Sequence, residues 1–529
     1  MITEQALLWS LKHLRKFGSS DLFPKGFEFA ALSNDWEAIK NYILRLNIDE
    51  YVPKSPVISL CPKADGTFRI VHDLDPLDAL IFTTLVYAVS AQVEEYRIPE
   101  SENIACSYRI KLDIEGSFFA YEDNGWSNFR KGKKELLSTF KKGYILKCDI
   151  ADFYNQIYIH RIRNIISEAG KGNLEKHAKT IENFLLGLNT KTSQGIPVGP
   201  AASIILAEVI LSDIDRKLLT YTRSFVRWVD DFFIFCDSAR EARWILHELT
   251  KYLYSTHRLF FNAQKTKILS VENYIRRDYA DEEDTESAIL EKKKNEVINR
   301  ELEELFINLN PYAEDEISEE EIQEKIDELL ESENFTILSD AYFDLFKIAI
   351  DKYNYPLAKH ILRKATKYRI RKIFSLAMDN FEKLIPVIRE VALYMIRVVS
   401  EGLVTRYEKR ILDILTSEFS KLPFVNMWLS FLLRNPALNR ITIPPVFSQE
   451  MQLRDKILLF NSRDQKVEIK HFRDGIDVLG PMDKRAAIYS LSILSNDERT
   501  PWLDTAISRG DITEKAVAKL AKSNAQKNA

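Results

Sequence analysis

Cysteine is scarce in this chain: four in 529 residues, at Cys61, Cys106, Cys148 and Cys236, with no CxxC pair and no histidine-rich neighbour. That spacing excludes a zinc ribbon and a disulfide scaffold, and it fits a reducing, cytoplasmic compartment. Glycine and proline are also few, 16 and 17, which excludes a collagen-like or low-complexity chain. No run of about 18 or more apolar residues occurs, so no membrane span is expected. The opening MITEQALLWSLKHLRKF lacks the apolar core and cleavage site of a signal peptide and reads as an amphipathic helix. Net charge is only −4, so the molecule as a whole is not a general polyanion binder.

What is present divides the chain into three textures. Residues 1–275 mix helical and strand patterns, with turn signals such as KADG (63–66) and GIPVGP (195–200). Residues 276–335 are dense in acid, as in AEDEISEEEIQEKIDELLESE, which suits a solvated helical linker. Residues 336–529 carry short amphipathic pieces in succession, with Pro near helix starts at 356, 386 and 423. That texture resembles HEAT-type helical repeats; without a strict period, an irregular helical bundle fits it as well.

The chemistry is expected in the first region. In GYILKCDIADFY the alternation Tyr144, Leu146, Cys148 against Ile145, Lys147, Asp149 predicts a strand ending on Asp149, followed by a turn into a helix capped by Asp152. In FVRWVDDFFIFC two strand-like runs flank the pair Asp230 and Asp231. An acid pair at a hairpin bend is unfavourable unless cations offset it, so an acidic strand end beside that bend makes a carboxylate cluster suited to two Mg²⁺ ions, with Mn²⁺ as a substitute. A Gly/Pro turn and small-residue helix start, TSQGIPVGPAAS, lies between them, and NAQKTK follows.

This order resembles the finger and palm motifs of reverse transcriptases. CDIADFY looks like motif A, QGIPVGPAAS like motif B, WVDD like the Tyr-x-Asp-Asp motif, and NAQKTK like motif D. The resemblance implies an α+β right-hand polymerase fold for residues 1–275, an antiparallel sheet with helices, ahead of the all-α, HEAT-like region. It also implies that Asp149 and Asp230 hold both metals, assisted by Asp231 and the Ile150 carbonyl. Lys63 and Arg69 would clasp the incoming triphosphate, a task suited to ammonium and guanidinium groups. Tyr154 would crowd a ribose 2′-hydroxyl, Gln194 would line the nucleotide pocket, and Lys265 would protonate departing pyrophosphate.

A polymerase-like front with a helical-repeat rear further resembles the abortive-infection reverse transcriptases of bacteria and prophages. That likeness implies dNTP substrates, synthesis without a template, a protein hydroxyl as primer, a single-stranded DNA product attached to the protein, and a homo-oligomer. Tyr42 and Tyr51, two of 22 tyrosines, stand near the fingers, and neither is marked as the primer. Departures are visible: Trp228 replaces the usual Tyr, Gly199 and Ile204 stand where relatives carry Ser and Asn, and no Phe-Leu-Gly primer grip follows motif D. A conventional RNA-templated enzyme, or a non-catalytic scaffold with a relic polymerase fold, are the alternatives. The basic stretch 129–147, with seven Lys or Arg and one Glu, offers a track for phosphates, with Phe129, Phe140 and Tyr144 as base-stacking candidates.

Overall fold

The computed structural model describes residues 2–121, 125–189, 192–276 and 333–527. The expected acidic linker, 276–335, therefore lies almost wholly outside the described residues. The described chain is α+β: antiparallel strands and helices up to residue 276, and helices alone from 333 onward.

The N-terminal helices are α1 (Glu4–Phe17), α2 (Glu28–Asn34) and α3 (Trp36–Arg45). Thr3 caps α1 by accepting the Ala6 N–H at 3.1 Å. A hairpin of β1 (Val57–Pro62) and β2 (Phe68–Asp73) leads into α4 (Pro76–Tyr96). Asp75 caps α4 and Pro76 occupies its first turn, where a missing N–H is harmless. By length and composition α4 could cross a membrane. It is instead the central core helix, with Leu80, Ile81, Val86 and Val89 buried and α1, α7 (Ile159–Ala169), α8 (Glu175–Leu188) and α9 (Ala201–Leu219) packed around it. An all-round apolar helix is what such a position needs.

After α5 (Trp126–Thr139) comes a four-stranded antiparallel sheet of β3 (Tyr144–Asp149), β4 (Phe225–Trp228), β5 (Asp231–Cys236) and β6 (Lys267–Ser270), in the order β4-β5-β3-β6. The short helix α6 (Phe153–Gln156) follows β3, and α10 (Ala239–Tyr252) packs on β3, β5 and β6.

Contacts divide the chain into two compact units. The first holds residues up to Leu60, Ile70–Arg276 and everything from Asp464. The second holds the hairpin tip Cys61–Arg69 and the described helices before Arg463. Sequence texture suggests a single helical region over 336–529, whereas its last part packs with the first unit. Helix Ile512–Lys527 lies on α2, α3 and helix Pro481–Ser490, and Lys519 Nζ reaches Asp35 at 2.8 Å. Within the second unit the helices stack in succession: Tyr355–Lys367 on Ile388–Val398, that on Pro423–Leu432, and that on Leu453–Ser462. Pro356 and Pro423 stand in first turns, while Pro386 belongs to a 3-10 stretch just before Ile388.

Candidate active site

β3 runs through the middle of the sheet, between β5 and β6. Ile145, Leu146 and Cys148 are fully buried, so the strand is held along its length and presents Asp149 at a fixed place. The β4–β5 hairpin sets Trp228 opposite Asp231, and β5 sets Asp231 opposite Asp149. The Ile150 N–H donates to the Asp230 carbonyl at 3.4 Å. Three acids from segments remote in sequence thus stand on adjoining strand ends.

Like charges opposite one another in a sheet repel. Burial, followed by the Asp149 and Asp231 charges, pushes the Asp230 carboxyl up to about 7. Burial and Asp149 push Asp231 up as well, against the pull of Lys147, Lys265 and Lys133. Lys265 Nζ stands 3.2 Å from Asp149 Oδ1. Burial draws the Lys265 ammonium down, but the hydrogen bond and charge of Asp149 outweigh it and the net shift is upward. Asn262 and Ala151 fasten that corner, with Asn262 N–H donating to the Asp149 carbonyl and Ala151 N–H to that of Phe260, each at 2.8 Å.

The three side chains offer only carboxylate oxygens, and two of them are pushed up by burial and by neighbouring negative charge. Both properties fit hard divalent cations. Among the described residues, no group of three acid, His or Cys side chains that could hold a metal ion is found.

The bend itself is strained. Val229 has φ +51°, a left-handed backbone that a β-branched residue adopts at a cost of about 1–3 kcal/mol and keeps only where its surroundings over-determine it. Trp228, the departure from Tyr, packs edge-on against Trp126 at 5.0 Å and near Phe129 at 5.9 Å. Its larger ring fills an aromatic cluster beside the bend.

Motifs A and B are sewn together by backbone. Ile196 N–H donates to the Tyr154 carbonyl at 3.0 Å, Gly195 N–H to Ile157 at 2.8 Å, and Gln194 bridges Tyr158. Tyr154 and Gln194 therefore share one seam just beyond Asp149. Gly199 has φ +128°, and a Cβ there would meet Ser20 Oγ at 2.3 Å. A serine at this position would be strained in backbone and would have to displace the Ser20 side chain. Lys63 and Arg69 are exposed at the hairpin tip, where the turn is closed by Lys63 N–H to Thr67 O at 2.9 Å. They cluster with the second unit.

Two expectations are corrected. Asp152 stands at the N-cap of α6 with φ +48°, but its side chain makes no capping bond to the helix backbone and binds the Asn155 and Gln156 side-chain amides instead. Phe129 is not free to stack bases, because it is core, and Lys133 of the same basic stretch is buried against the Phe129, Phe233 and Tyr274 rings. Lys131, Lys134, Lys141 and Lys142 remain exposed. Arg227, Glu208 and Asp215 are absent from the expected residues, although a charge inside an apolar strand or helix is the signal that marks them.

Residues 61–297 match the family model for reverse transcriptase (RNA-dependent DNA polymerase). No curated protein matches the chain. Among solved structures, telomerase from Candida albicans in complex with a TWJ fragment of telomeric RNA is similar at 12% identity and a TM-score of 0.31, covering 70% of this chain and 65% of that one. Apo telomerase from Candida tropicalis is similar at 12% identity and a TM-score of 0.32, covering 75% of this chain and 72% of that one. The chain thus spans 65% of the length of the Candida albicans telomerase chain. The sheet and its three acids lie within the segment that matches the reverse transcriptase family model.

Proposed function

We propose that the protein is a DNA polymerase of reverse-transcriptase type that joins deoxynucleotides by phosphoryl transfer. The register that sets Asp149 opposite Asp231, with Asp230 at the adjoining bend, is the observation that supports it most. In this reading Asp149, Asp230, Asp231 and the Ile150 carbonyl hold two Mg²⁺ ions, or Mn²⁺ in their place. Such ions, when bound, supply charge neutralisation at the attacking and leaving oxygens.

The remaining work belongs to the chain's own residues. Lys63 and Arg69 bind the triphosphate, Arg as a fork and Lys as a mobile point charge. Gln194 lines the nucleotide pocket, and the Tyr154 ring disfavours a ribose 2′-hydroxyl. Lys265 holds the proton destined for pyrophosphate; delivering it requires the ammonium to leave Asp149.

We further propose a role in anti-phage abortive infection in the cytoplasm, with untemplated synthesis by a homo-oligomer from a protein hydroxyl, yielding single-stranded DNA joined to the polypeptide. The family resemblance of the ordered motifs and the helical rear supports this. Incubating the purified chain with Mg²⁺ and labelled dNTPs, without template, followed by denaturing electrophoresis, tests it. Label that stays with the polypeptide and yields to nuclease is expected. Label released as free DNA removes protein priming, and incorporation only when RNA is added favours the templated reading, which the RNA-dependent polymerase match over residues 61–297 supports.

A further inference from the structure

Arg227 precedes the Trp228–Asp231 bend and has no solvent exposure at all. Its guanidinium grips Asp215 in a fork, Nε to Oδ1 at 2.8 Å and Nη2 to Oδ2 at 2.7 Å. It also meets Glu208, Nη2 to Oε2 at 2.9 Å and Nη1 to Oε1 at 3.3 Å. One donor remains, and it goes to the site: Nη1 donates to the Val229 carbonyl at 2.9 Å. The Val229 N–H donates in turn to Ser107 Oγ at 3.0 Å, and that hydroxyl donates to Glu208 Oε1 at 2.8 Å. The buried Arg97 balances the charge, its Nη2 lying 2.8 Å from Glu208 Oε2 and donating to the Ser107 carbonyl at 2.7 Å.

Two guanidinium groups and two carboxylates are therefore buried together, neutral as a set; the Val229 carbonyl meets that set directly and its N–H through Ser107. A buried ionic cluster is no better for stability than packed hydrocarbon of the same volume. What it supplies, and hydrocarbon does not, is direction: two hydrogen bonds at fixed angles to one residue. The residue so held is the one with φ +51°, and the next residue is Asp230.

We propose that Arg227, Glu208, Asp215 and Ser107 form a positioning frame that locks the left-handed Val229 and thereby aims Asp230 and Asp231. The inference rests on the polymerase reading for what the aimed acids do, but the frame has its own readout.

The test uses the full chain with Arg227→Lys, which keeps the charge but lacks the fork that spans two acids and the Val229 carbonyl. Hydrogen exchange of peptide 225–236 is read beside dNTP incorporation. Exchange at the bend is expected to rise at least tenfold with β3 still protected, and kcat to fall at least tenfold with the dNTP KM within about twofold. Adding Val229→Gly, which accepts positive φ without strain, is expected to recover at least threefold of the lost kcat. A merely structural role gives no such recovery. Unchanged exchange at the bend, a loosened bend with unchanged kcat, or no recovery overturns the proposal.

If Arg227→Lys does not fold, Ser107→Ala, which removes only the acceptor of the Val229 N–H, is judged by the same outcomes. If wild type incorporates nothing, the polymerase reading fails by itself. The frame is then judged by Mn²⁺ affinity from the free-ion paramagnetic signal. Affinity at least tenfold weaker in Arg227→Lys supports it; equal affinity, or no binding by wild type, overturns it.

Discussion

Arg485 donates from Nη1 to Asp75 Oδ2 at 2.9 Å across 410 positions of sequence, with both side chains sealed from solvent. Asp75 Oδ1 meanwhile caps α4 by accepting the Leu77 N–H, and Lys54 Nζ lies 3.2 Å from Oδ2. The last helices therefore neutralise the acid that starts the central core helix. Arg485→Met leaves Asp75 buried with only a half-exposed lysine, and removing one partner of such a pair costs about 3 kcal/mol or more. Urea unfolding should show that loss, with Asp75→Asn in the same chain restoring part of it.

Asp230→Asn is expected to separate activity from stability. If Asp230 holds the ions as proposed, incorporation should fall on the order of a thousandfold or more. In EDTA the variant should be more stable than wild type at neutral pH. The folded-state value of about 7 lies above the ordinary 3.8, so the folded chain binds a proton that the unfolded chain has released between those values. Wild type should thus lose stability relative to the Asp230→Asn variant as pH rises from about 4 to about 7, which thermal melts across that range will read.

Lys265 is mostly exposed in its pair with Asp149, so Lys265→Met should change stability by less than about 1 kcal/mol. If its proton serves pyrophosphate departure, incorporation should drop roughly a hundredfold, and Lys265→Arg, which keeps charge but does not give up a proton, should be as slow as Met. Rapid-quench measurement of single incorporations distinguishes the two; full rescue by Arg would assign Lys265 to charge alone.

Gly199→Ser should destabilise this chain. Its φ of +128° and the Ser20 Oγ at 2.3 Å act together, and the backbone share alone is about 1–3 kcal/mol. Ser20→Gly should relieve the clash but not the strain, so the double variant should melt between wild type and Gly199→Ser.

His13 reports on acid sensitivity. It is buried among Trp9, Phe17 and Phe118 and shares a 2.7 Å hydrogen bond with the Gly116 carbonyl. Burial lowers it from 6.5 to about 4, so below about 6.5 the unfolded chain takes a proton that the folded chain refuses. Relative to His13→Gln, wild type should lose roughly 3 kcal/mol as pH falls from 6.5 to 4. Denaturant midpoints of the pair across that window check it.

Local pattern made much of the site legible. Alternation in Tyr144–Asp149 gives a strand ending on an acid, and the two apolar runs around Asp230 and Asp231 give the hairpin. Glycine at 199 reads as a departure from relatives until Ser20 is seen against it, because the atom that a side chain would have to displace lies 179 positions away. Val229 contradicts its own propensity, as a β-branched residue in left-handed backbone; the frame around Arg227 that permits it is assembled from a loop, a helix and a strand.

By itself the sequence determined the strand that ends on Asp149, the hairpin around Asp230 and Asp231, and the order of the motifs, because helix and strand periods and turn chemistry are written within a few neighbouring residues. Tertiary structure alone decided which helix face meets which partner, that the chain from Asp464 packs with the N-terminal unit, and that Lys265 stands on Asp149. An apolar stripe states that it must be covered, not by what. Pairing and charge compensation between distant segments come from three-dimensional packing, which no local pattern records.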